Sequence, residues 1–328
     1  MKARYSSIGA ALALGLVITG WAAEQSLTWP TLASIELPHS AGKFDFLRVD
    51  PKRNRLLAAH VQDGTSDVFD LKTHSLIARV KVGSAVDTAV DIDSSLYYIS
   101  VQKSARVAVL DAATLREVNS ISMAGPTDAI LYEPKNHRVY VTHDDGMDVW
   151  VIDALVAKVV TSIAIPGVPE AMVYDPPADR IYLNIKNKDV VAVIDPSTNV
   201  VIAQWPTAPA TGPHGIALDG SGHRVLSAGA NGKLVAIDTR SGVASDSIDI
   251  TPRVDQIALD VRSGLLYCAG TDKISVVRVS DGKLTRLGEL ATAPAARNVA
   301  VDPETRAVWT TYSDGNSSFA KSWREPQL

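Results

Sequence analysis

Apolar and polar positions alternate in short runs along nearly the whole chain, and the alternation restarts at a regular interval. An acidic residue recurs at Asp50, Asp91, Glu133, Asp175, Asp219, Asp260 and Asp302, at spacings of 41, 42, 42, 44, 41 and 42. Seven residues after each comes a bulky strand former: Leu57, Tyr98, Tyr140, Tyr182, Leu226, Tyr267 and Trp309. A second acidic column closes a later apolar run at Asp70, Asp111, Asp153, Asp195 and Asp238, and its register continues through Ser280 and Ser322. Within the third copy the pattern predicts four strands, over 128–132, 138–142, 148–152 and 158–165. Polar breaks such as Glu133-Pro134-Lys135-Asn136 separate them. The run Val149-Trp150-Val151-Ile152 is apolar on both alternating faces, as in a sheet covered on both sides. Four short strands per copy and a period near 42 specify an all-β, seven-bladed β-propeller with four-stranded antiparallel blades.

The ends bear on how the ring closes. The seventh copy supplies only three strands, whereas Ser34-Ile35-Glu36-Leu37-Pro38 matches Ser162-Ile163-Ala164-Ile165-Pro166, the outer strand of blade three. The N-terminal strand is therefore expected to close the last blade, which removes an open edge. One propeller domain is expected over 34–323, with a flexible segment over 23–33 and a tail over 324–328.

Residues 1–22 read as a signal peptide. Lys2 and Arg4 precede thirteen apolar residues, Ile8 to Gly20, and Gly20-Trp21-Ala22 offers small residues at a cleavage site. The alternative is a retained anchor, but the run falls short of the roughly 20 residues a spanning helix needs. A periplasmic or secreted location follows, with no transmembrane segment after cleavage. Removing Lys2 and Arg4 leaves 30 basic against 36 acidic residues, a balance that makes nucleic acid an unlikely partner. Cys268 is the only cysteine and sits mid-strand, where it reads as a small buried apolar group.

The repeat resembles the YVTN-type β-propeller family, whose copies run from a Gly or Pro lead-in through Asp-Pro and a Tyr-Val-Thr-Asn-like strand to Val-Ile-Asp. The matching residues are Tyr140-Val141-Thr142, Tyr182-Leu183-Asn184, Val151-Ile152-Asp153, Val193-Ile194-Asp195 and Gly212-Pro213-His214-Gly215. The resemblance implies the fold strongly and the function weakly. Its wider relatives include periplasmic and surface-layer proteins, propellers accompanying redox enzymes, lactonases and a lyase.

Familiar catalytic motifs are missing from the sequence: no nucleophile elbow, zincin helix, paired-cysteine site or phosphate loop occurs. Both acidic columns read as turn caps. A third column does not. Five residues before the strand-one acid stand Asp45, Asp128, Glu170, His214, Asp255 and Arg297, while blade two offers Asp87 four before its acid. These positions open the innermost strand, which lines the central channel. Strand two returns to the same face and ends at His60, His143 and Tyr312 in blades one, three and seven. The ten residues are expected to share one channel mouth, either as a solvated rim or as a ligand funnel. The ligand would be a small polar molecule or a protein partner, and the oligomeric state is open. A divalent metal is a subordinate possibility with His60, His143 and His214 as ligands, although they fall on separate blades. Three functional classes remain: an exported binding scaffold, a lactonase-like hydrolase or lyase using His, acid and Arg297, and an accessory subunit of a periplasmic redox enzyme.

Overall fold

The computed structural model describes residues 26–280 and 282–325. The expected signal peptide therefore lies outside the described residues. Within them the chain is a seven-bladed propeller of antiparallel four-stranded sheets, and no helix occurs. Blades one to six follow in chain order over 44–81, 85–122, 127–164, 169–206, 213–249 and 256–291. Blade seven combines Ala300–Val301, Ala307–Ser313 and Ser318–Arg324 with the N-terminal strand Thr31–Leu37.

That closing strand pairs antiparallel with Ser318–Arg324, from Leu37 opposite Ser318 to Thr31 opposite Trp323. It starts three residues earlier than the sequence match indicated. The segment 23–33 is also less free than expected, because Ser26–Leu27 adds in parallel to the outer edge of blade six, against Glu289 and Leu290. Trp29 anchors this strap: it is buried and meets the Tyr267 ring edge-on at 5.6 Å. At the other end Arg324 completes the last strand and Glu325 is buried, so the propeller takes in at least two residues past the expected domain limit.

Each acid of the first column caps its own turn, as Asp50, Asp91 and Asp219 illustrate by accepting from the amides of Arg53, Ser94 and Gly222 at 3.0–3.1 Å. The fourth residue of every one of these turns has positive φ, and only Gly264 among the seven is a glycine. A left-handed backbone costs other residues roughly 1–2 kcal/mol, which the capping carboxylate helps to offset. The strand-two column from Leu57 to Trp309 is at most 1 % exposed and packs blade against blade.

Candidate functional site

A bulge recurs where the innermost strand meets the mouth. In blade three Thr127 pairs with His143 and Ile130 with Val141, so Asp128 and Ala129 together oppose Thr142. The same slip occurs in blades one, four and five at Asp45-Phe46, Glu170-Ala171 and His214-Gly215. A bulge bends the strand and re-aims its side chains, here carrying the first residue of each pair to the mouth. In blade two the pair is Val86-Asp87, so the acid occupies the second place.

Six of the ten expected residues come together. Asp45, held by Lys43 at 2.7 Å, interacts with Asp255, which in turn pairs with Arg297 at 3.4 Å. Glu170 is gripped by Lys186 at 2.7 Å and faces Nε2 of His214 at 3.7 Å. The Nδ1–H of His214 donates to the Gly212 carbonyl at 2.7 Å, which leaves Nε2 turned toward Glu170. Asp128 lies within reach of Glu170, Asp45, Asp144 and Asp87, and among the described residues no cation or hydrogen-bond donor pairs with it. Burial, followed by repulsion from Glu170, drives its carboxyl well above the ordinary range. Burial also raises Asp45, with Lys43 opposing and Asp255 reinforcing. A shallow recess, too tight to enclose a water molecule, is lined by Asp45, Phe46, Asp255, Gln256 and Asn298.

The other four residues are engaged in packing contacts. Asp87 is fully buried, because in the second place of its bulge it points into the blades. It receives both Nε and Nη2 of Arg48 at 2.7 Å and the amides of Thr88 and Ile130. His60 is fully buried as well, stacked on Phe44 at 3.8 Å and bonded through Nδ1 to Asp67 at 3.0 Å. His143 bonds Asp148 at 2.7 Å and lies against Trp150. Gly125 and Gly146 admit it only because they lack side chains: a Cβ there would sit 2.5 and 2.2 Å from the imidazole. Tyr312 stacks on Phe319 at 5.1 Å. The three histidines thus share no site, and no group of three or more His, Cys, Asp or Glu among the described residues is arranged to hold a metal.

Lys43, Lys186, Arg48 and Gln256 are absent from the sequence-derived set. Lys43 carried a signal, since it lies two residues before Asp45, just ahead of the strand. Gln256 carried none: its side chain reaches from blade six to blade one and bonds both the amide and the carbonyl of Leu47. That span is possible because blade seven's innermost strand is only two residues long.

No protein-family profile and no curated protein matches the sequence. The fold is similar to solved propellers. A chain of Kuenenia stuttgartiensis hydrazine synthase aligns with TM-score 0.74 and 14% identity, covering 87% of this chain and 96% of that one. A chain of a mitotic checkpoint complex gives 0.79 and 12% identity over 99% of both. The RRP9 WD40 repeats give 0.75 and 10% identity over 90% and 99%. At such identities the likeness is one of fold alone.

Proposed function

We propose that the protein is an exported, YVTN-type propeller that acts as a binding scaffold, engaging a polar ligand or a protein partner at the channel mouth. One observation carries this reading: Asp45, Glu170 and Asp255 are paired at one mouth with Lys43, Lys186 and Arg297, yet Asp128 is left without a counter-ion. A cationic group of the ligand would sit at Asp128, relieving the repulsion from Glu170 and Asp144. Arg297, exposed beside Asp255, would meet an anionic group. Assembly roles of the structural neighbours, a mitotic checkpoint complex among them, fit a scaffold.

The test compares partners recovered from the native envelope fraction by the wild type, by Asp128→Asn/Glu170→Gln and by Asp153→Ala. A partner retained by Asp153→Ala and lost from the mouth variant is expected. Identical recovery by all three would place binding elsewhere. N-terminal sequencing of the exported protein should begin at residue 23 or 24, and an intact Met1 would overturn the export reading. The hydrolase or lyase reading keeps one supporting contact, His214 beside Glu170, and lactone hydrolysis abolished by His214→Ala would establish it.

A further inference from the structure

In blades two and three a buried tyrosine hydroxyl reaches the turn between strands three and four of the following blade. Tyr98 meets the Ala154 carbonyl at 3.5 Å and Tyr140 meets Asn199 at 2.9 Å. Tyr267 of blade six is their equivalent, but the turn it should reach does not exist. Blade seven takes its third strand from the C-terminal end of the propeller and its fourth from the N-terminal strap. The vacated place is taken by Glu325, the residue after the last strand, which is 4% exposed.

Among the described residues neither carboxyl oxygen of Glu325 has a well-formed hydrogen bond, although Ser263 and Tyr267 lie beside them, and the same holds for the Tyr267 hydroxyl and for Oδ2 of Asp260, which is 3% exposed. The charged groups facing Glu325 are Asp260 from blade six and Arg306 from blade seven, the latter no nearer than 3.9 Å. Beside Asp260 a cavity of about 160 Å³ opens between Leu259, Val261, Arg262, Val301 and Pro303 at the blade six–seven boundary. A buried carboxylate with only poorly placed donors beside it is costly, whereas the neutral acid donates to a neighbouring oxygen and removes repulsion with Asp260. Arg306 is about a third exposed and regains water when its weak pair is given up.

We infer that ring closure is a proton-sensitive latch, in which neutral Glu325 tightens the seam between the strap and the last strand and ionised Glu325 loosens it. The backbone couples the two directly, because Arg324 donates to the Pro30 carbonyl at 2.9 Å and Thr31 pairs with Trp323. Burial, offset by Ser263 and Tyr267, leaves Glu325 above its ordinary 4.5. The stabilisation is therefore complete below about pH 4.5 and is lost as pH rises through the raised value.

Hydrogen exchange of residues 31–37 in the full chain, followed from below pH 4.5 to neutral pH, tests this after correction for intrinsic exchange rates. Wild-type protection should fall severalfold as pH rises through the raised value. Glu325→Gln should hold the acid-form protection throughout. Asp260→Asn, which keeps the turn cap, should shift the wild-type loss to lower pH. A Glu325→Gln profile parallel to wild type would overturn the latch. So would protection restored at neutral pH by Ca²⁺ in the wild type alone, which would make the same carboxylates a cation site.

Discussion

The propeller carries two rings of acids, one in the turns between strands one and two and one at the opposite ends of the innermost strands, and chemistry separates them. Turn acids satisfy themselves locally: Asp91 accepts from the amides of Asp93 and Ser94, and Asp302 from that of Glu304, all at 3.0 Å. Most acids of the innermost strands depend on partners brought by the fold. Glu170 needs Lys186 from the next strand, Asp87 needs Arg48 from another blade, and Asp128 has neither. A carboxylate capped within three residues stabilises its turn wherever the blade goes. One that relies on assembly becomes a clamp when it finds a cation and a binding group when it does not.

Removing a clamp should have the largest effect. Asp87→Ala strands Arg48 and leaves the amides of Thr88 and Ile130 without an acceptor, joining three blades less firmly. A loss of about 3–5 kcal/mol is expected in denaturant unfolding. A loss no larger than that of a turn acid would erase the distinction.

A turn acid of the second column, between strands three and four, is tested by Asp153→Ala. Asp153 accepts from the amide of Leu155 at 2.9 Å and pairs with Arg138 at the surface. About 1–2 kcal/mol should be lost with binding at the mouth unchanged. A selective loss of binding would show that this column belongs to a site.

Smallest in magnitude and opposite in sign is Asp128→Asn. Because the folded carboxyl is raised, its contribution is complete below the ordinary aspartate value of 3.8 and is lost as pH rises through the folded value. At neutral pH the asparagine variant should equal or exceed the wild type in melting temperature, while binding falls. Marked destabilisation at neutral pH would mean that Asp128 is another clamp.

Local rules explain what was legible. The blade count, the turn caps and the closing strand follow from spacing, alternation and i+2 or i+3 hydrogen bonds, all contained in one repeat. The innermost-strand column was legible for the same reason, and six of its residues do meet. The one-residue displacement of Asp87 was visible in its spacing, but its consequence was not. In a strand, one step exchanges channel for interior. His60 and His143 stand at strand ends like true mouth residues, yet Phe44 and Trp150 cover them.

From its sequence alone, then, the chain determines a seven-bladed ring, its turn chemistry and the strand on which each charge stands, because a period-two pattern repeated seven times admits one way of burying its apolar faces. The tertiary structure decides which of those charges are neutralised. Arg48 against Asp87, Gln256 across to Leu47, and Glu325 in a turn assembled from both ends of the propeller are contacts between different blades. Their distances arise only when the ring closes, and with them the difference between a paired carboxylate and one that waits for a proton or a ligand.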